Sequence, residues 1–172
     1  MRSEITEKEL DETFDEVRMF VRAKRYGATL EMCNTLMPEW PEKERHHRFD
    51  RMAYVYDRMG KAQLALDAIS QALELDKTWA GHWDFRMILA IDLGRYDLAV
   101  SDSTSLIELE QRRGSIAFIE SARVYRAYAQ IELGEIERAL NDLSMVNDAG
   151  PFRIAGKWWL KSELVELAQA RK

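Results

Sequence analysis

Few residues in this chain have the types and spacing that chemistry at a site requires. His46 and His47 are neighbours, Cys33 is the single cysteine, Arg112 and Arg113 form a basic pair, and carboxylates are abundant. Two imidazoles chelate one ion most readily at i, i+4 on a helix, whereas adjacent residues project about 100° apart around the axis. No metal site is therefore expected at the histidine pair. Cys33 has no second cysteine to bond with and falls on an apolar helical stripe, so it reads as a reduced core thiol rather than a nucleophile. Arg112 and Arg113 sit where a helix ends, a position that favours cations through the helix dipole. The acids have Arg or Lys three or four residues away, as Asp15 has Arg18, which is the pattern of a solvated helix face and not of an acid-base pair. With no glycine-rich phosphate loop, no Cys/His metal spacing and no nucleophile-base pair, the sequence predicts a non-catalytic protein without metal or cofactor.

Bulk properties narrow the class further. Of 172 residues, 47% are hydrophobic and 32% charged, enough for a continuous core and too polar for a membrane span. The net charge of -5 and the pI near 5.4 argue against a general nucleic-acid binder, which needs clustered surplus cations. The opening residues carry charges where a secretory signal would be apolar, so the cytoplasm is the expected compartment.

The apolar residues recur at helical spacing throughout. Phe14, Val17, Phe20 and Val21 mark a first helix, and Leu30, Cys33, Leu36 and Met37 a second that runs to Pro38 and Pro41. Phe49 to Met59 and Ala62 to Leu75 form the clearest pair, separated by Gly60, with Ala65 and Ala72 on the face that meets the partner helix. Trp79 to Leu93 and Tyr96 to Leu109 are joined at Gly94, and helices of about Ser115 to Leu133 and Ile136 to Val146 at Gly134. After Pro151 one more helix, containing Trp158, Trp159, Leu160, Leu164 and Leu167, is expected to cover the open end of the stack.

A helix-turn-helix repeating about every 34 residues resembles a tetratricopeptide repeat array. Aligned on the turn glycine, residues 46–79, 80–113 and 120–153 place Ala53, Met87 and Ala127 at the small first-helix position and Ala65, Ala99 and Ala139 at the family's alanine. Tyr56, Ala90 and Gln130 fall at its aromatic position, Pro151 at its terminal proline and Trp83 at its early tryptophan. Residues 10–43 fit more loosely, with Lys24 where glycine is usual and Thr29 where alanine is usual. The expectation is an all-α, tetratricopeptide-like solenoid of about four hairpins, one domain over residues 1–172, closed by a capping helix at 154–171.

What the resemblance implies for function is a concave groove, lined by the first helices, that holds a segment of a partner protein. Carried over to the first-helix positions, the groove residues are Phe14, Arg18, Arg51, Tyr54, Phe85, Ile88, Val124, Tyr125 and Tyr128, with Trp158 added by the last helix. The later ones are apolar and solvent-facing in this reading, which points either to an apolar or amphipathic partner segment or to a covering element from the chain itself, with Trp158 and the final helix folded over part of the groove as core. The family's carboxylate-capturing Lys positions hold Phe14, Asp50, Asp84 and Val124 here, so that use is not expected. The resulting class is a protein-binding adaptor, chaperone or inhibitor. The alternative is a homo-oligomeric scaffold that assembles through the groove or the Trp-bearing end, and the oligomeric state is left open.

Overall fold

The computed structural model describes residues 6–35, 40–147 and 150–172. Among the described residues are nine α-helices, a short 3-10 turn and one two-stranded β-hairpin, an all-α repeat of helical hairpins. The backbone divides into two compact units, Met1–Lys77 and Thr78–Lys172.

The first unit contains α1 (Glu7–Arg22), α2 (Tyr26–Thr35), the 3-10 turn Glu42–Glu44, α3 (His46–Arg58) and α4 (Ala62–Leu75). Thr6 starts α1 with a capping box, its hydroxyl accepting from the Glu9 amide while the Glu9 carboxylate accepts from the Thr6 amide. Val17, Val21, Met32, Cys33, Trp40 and Val55 form the core of α1 to α3. Ala65, Ile69 and Ala72 bury the inner face of α4, and Thr29, at the usual alanine position, is likewise fully buried with its hydroxyl donating to the Arg25 carbonyl. Leu36, Met37 and Pro38 lie outside the described residues.

The second unit contains α5 (Ala80–Asp92), α6 (Tyr96–Arg113), α7 (Ile119–Glu132), α8 (Ile136–Ser144), β1 (Phe152–Ile154), β2 (Lys157–Trp159) and α9 (Lys161–Ala170). Its core runs through Met87, Ala90, Ala99, Ala127, Ile131, Ala139, Leu143, Ile154 and Leu164. Small residues at the repeating positions let the paired helices approach closely; Ala53, Ala65, Ala99, Ala127 and Ala139 are all completely buried.

Each helical hairpin turns on the same backbone device. The amide of Gly60 donates to the Asp57 carbonyl and that of Lys61 to the Tyr56 carbonyl, which satisfies two orphan carbonyls at the end of α3. The pair recurs as Gly94 to Ile91 with Arg95 to Ala90, and as Gly134 to Ile131 with Glu135 to Gln130. In all three the glycine has positive φ, between 69° and 78°. In the first hairpin the same two bonds form, Lys24 to Val21 and Arg25 to Phe20, but Lys24 itself must adopt φ 56°. The turn geometry has been kept and the residue suited to it has not.

Two buried ion pairs tie the hairpins of the second unit. Arg86 of α5 grips Asp102 of α6 through Nε and Nη2 at 2.8 and 2.7 Å, and Arg126 of α7 grips Asp142 of α8 at 2.7 and 2.6 Å. Arg126 also donates to the Thr104 hydroxyl of α6 at 3.0 Å, which links adjacent hairpins. Burial pushes the Asp102 carboxyl up and the Arg86 guanidinium opposes it. A two-pronged contact at this distance keeps the carboxylate ionised. These acids are not solvated surface charge, as the local i+3 and i+4 pattern suggested, because their cations lie sixteen residues upstream on the partner helix.

The C-terminal segment departs from expectation. Residues 154–159 do not open a capping helix; Phe152–Ile154 and Lys157–Trp159 pair antiparallel, with Phe152 opposite Trp159 and Arg153 opposite Trp158. Ala155 and Gly156 both have positive φ, the requirement of a two-residue hairpin loop whose twist matches its strands. The capping helix starts only at Lys161, where the Glu163 carboxylate accepts from the Leu160 amide, and packs Leu164 and Ala168 into the core beside α7 and α8. Trp158 and Trp159 therefore belong to a strand.

Lys24→Gly should raise stability by about 0.5–1 kcal/mol, the left-handed strain of roughly 1–2 kcal/mol less the added chain entropy of glycine. Gly60→Ala should lower it by a comparable amount even though a Cβ there would meet nothing within 4 Å. Urea unfolding midpoints of the two variants against wild type check both signs.

Candidate functional site

The sequence-predicted groove residues fall in both units. In the first, α1 and α3 bring Phe14 and Arg51 together: the guanidinium lies 3.5 Å from the Phe14 ring centroid, and the ring meets His47 edge-on at 5.0 Å. Arg51 also faces Asp50 at 3.5 Å, and burial lowers its pKa. Arg18 is exposed and pairs with Asp15 on its own helix. Tyr54 is half-buried against the core of α1 to α3. Phe14 and Arg51 are thus engaged with one another, while Arg18 keeps open surface.

In the second unit the predicted residues separate by depth. Val124 is fully buried and Tyr128 is 8% exposed, so these two are core and not solvent-facing wall. The reason is the β-hairpin, which sequence reasoning missed. Its strand β1 packs on α5 and α7, Phe152 and Ile154 join the core beside Ile88 and Tyr125, and the Trp159 ring lies 6.0 Å from that of Tyr128. The local signal was short: a three-residue strand on each side of Ala155-Gly156, masked by two tryptophans that also fit a helical stripe.

What stays open beside the hairpin is a cleft of about 550 Å³ lined by Ile88, Asp92, Tyr125, Arg153, Ala155 and Gly156. The Tyr125 hydroxyl donates to the Arg153 carbonyl at 3.0 Å and fixes the hairpin to α7. On its helical side the cleft is lined by the Asp92 carboxylate. Burial, with Asp84 and Asp92 beside it, pushes the Tyr125 phenol up to about 12. Asp84, one turn before Ile88, is raised to about 6 by desolvation alone, with no cation paired to it among the described residues. Phe85 is half-buried next to it. Trp158 does not line this cleft; it is 62% exposed on the other strand, across from Arg153.

The cleft wall offers apolar surface with the Asp92 carboxylate and the Arg153 side chain, and the desolvated Asp84 acts on Tyr125 from nearby. Burial raises the Cys33 thiol to about 11, which keeps it protonated near neutrality and removes its nucleophilic form. At the other candidate of the sequence, the Glu44, His46 and His47 side chains converge so that one ligand atom from each lies within 4.8 Å of the others. Helical projection does not keep the two rings apart: His46 and His47 open α3 with their imidazole centroids 3.9 Å apart, and Glu44 joins them from the preceding 3-10 turn.

The architecture defines a tetratricopeptide-like repeat fold. Among solved structures it is similar to a candidate kinesin light chain of Podosopora anserina with nearly identical TPR-like repeats, at 13% identity and a TM-score of 0.65, covering 94% of each chain. A substituted form of that protein superposes with a TM-score of 0.70, again at 13% identity, over 94% of this chain and 85% of that one. No protein-family model matches the chain, and no curated protein sequence matches it significantly. Among the described residues no helix is long and apolar enough to cross a membrane.

The raised Asp84 carboxyl carries a pH signature. Between about pH 4 and 6 the folded state holds a proton the unfolded chain has released, so this group's stabilising contribution is complete below about pH 4 and is lost as pH rises through about 6. Asp84→Asn should therefore raise the melting temperature more at pH 7.5 than at pH 4, by the equivalent of about 1–2 kcal/mol once partial solvation is allowed for. Thermal unfolding of both proteins at the two pH values checks it.

Proposed function

We propose that the chain is a non-catalytic interaction module that holds an amphipathic segment of a partner protein in the cleft between α5, α7 and the β-hairpin. The observation that carries this reading is the cleft at Ile88, Asp92, Tyr125 and Arg153, with Asp84 near enough to act on Tyr125: a partly desolvated carboxylate that has no cation among the described residues costs stability in the free protein, and a partner cation offsets that cost on binding. Ile88 and Tyr125 supply apolar surface there and pack against the core that holds Val124 and Tyr128, and the half-buried Phe85 is a further proposed contact. The preferred segment therefore carries apolar side chains flanked by Lys or Arg. In the other unit Arg18 and Tyr54, with the Phe14 and Arg51 pair, form a further proposed contact face. Such a module serves as an adaptor, a chaperone or an inhibitor, with the cytoplasm as the compartment in this reading.

Fluorescence anisotropy with labelled peptides that alternate apolar residues with Lys or Arg, beside counterparts carrying Glu, is the direct test. The basic peptides should bind, the acidic ones should not, and Asp84→Asn with Asp92→Asn should weaken binding at least about tenfold, or about 1.4 kcal/mol. Equal binding of both peptide sets, or an unchanged Kd in the double variant, removes the reading.

A second reading rests on Trp158, a large apolar ring left 62% exposed on the outer face of the hairpin. It favours self-association through the β-hairpin, in place of the Trp-bearing helix that the sequence suggested. Sedimentation velocity at micromolar concentration should then show a dimer or larger species that Trp158→Ala dissolves, whereas a wild-type monomer discards it.

A further inference from the structure

Four polar side chains, of Glu44, His46, His47 and Asp76, lie where α3 begins and α4 ends. His46 and His47 are both almost fully buried. His47 Nε2 lies 3.4 Å from a Glu44 carboxylate oxygen, and His46 Nε2 lies 3.7 Å from a carboxylate oxygen of Asp76, the residue that ends α4. The two imidazole rings are 3.9 Å apart and inclined at 43°. Ligand atoms around a tetrahedral zinc ion, with bonds of about 2.0–2.2 Å, are separated by roughly 3.3–3.5 Å. The two nitrogen-oxygen distances are already near that value. The Glu44, His46 and His47 set, spread over 4.8 Å at most, reaches it by side-chain rotation of about 1 Å.

Charge fits as well. The carboxylates of Glu44, Asp50 and Asp76 act on His46, opposed by Arg51, and Lys43 pairs with the Glu44 oxygen that does not face His47. Nitrogen and carboxylate donors together suit zinc and its transition-metal neighbours, whereas magnesium and calcium take oxygen sets.

We propose that Glu44, His46 and His47, with Asp76 as the fourth donor, form a zinc site that pins the turn before α3 to the end of α4. The donors come from the 3-10 turn, the first turn of α3 and the residue that caps the end of α4, so the ion ties together the two ends of one helical hairpin and the segment that leads into it. Its role is structural, with all four positions filled by protein.

The test uses the full chain, stripped with chelator and titrated with zinc chloride in competition with a chromophoric chelator. Wild type should bind one ion tightly, and His47→Gln and Glu44→Gln should each weaken binding by at least about tenfold. Glu44 is partly exposed, so its variant reports even where loss of the buried His47 imidazole unfolds the protein. X-ray absorption of the zinc-loaded wild type should show imidazole scattering in a four-coordinate shell. Zinc bound no more tightly by wild type than by Glu44→Gln, or a six-oxygen shell without imidazole, overturns the site.

Discussion

Every hairpin in this protein depends on one residue being able to place its backbone in the left-handed region at the end of the first helix. That conformation directs two amides back onto the last free carbonyls and sets the following helix on its return path. Gly60, Gly94 and Gly134 accept it without steric penalty, whereas Lys24 is held there by the same two hydrogen bonds and by the helices that pack on either side. The turn also sets the spacing of everything downstream. Once it forms, Ala65, Ala99 and Ala139 face their partner helices, and their lack of side-chain bulk sets the distance between axes.

Burial then constrains the polar residues. Arg86 with Asp102 and Arg126 with Asp142 occupy equivalent places in successive repeats of the second unit, and each has its hydrogen-bonding capacity matched across a hairpin. Such pairs add less to stability than their distances suggest, because both ions leave water, but removal of either partner strands the other. They act on register: a hairpin that slides by one residue loses both prongs. Asp84 shows the opposite case, an acid partly removed from water with no cation paired to it among the described residues.

The β-hairpin decides which part of the inner surface is available. By laying Phe152, Ile154 and Trp159 against α5 and α7, it turns Val124 and Tyr128 into core and leaves a bounded cleft at Ile88 and Tyr125. An apolar stripe that would be costly to expose is in large part covered by the chain itself. What stays open beside the hairpin is bounded by Ile88, Asp92, Tyr125 and Arg153.

Helix-forming periodicity, turn glycines and recurrent alanines are local or evenly spaced, so the sequence alone determined the helical hairpins, their order and the bounds of α4 to the residue. Ile88 and Tyr125, both at first-helix positions of the repeat, line one cleft. The fate of Trp158 and Trp159 was not legible, because two adjacent aromatics satisfy a helical stripe and a strand equally, and the left-handed pair Ala155-Gly156 is favoured only once the strands pack on α5 and α7. Nor was the convergence of Glu44, His46, His47 and Asp76, or of arginines with acids sixteen residues away. Those contacts join residues that chain spacing does not relate, and only the packing of one helix against another brings them within bonding distance.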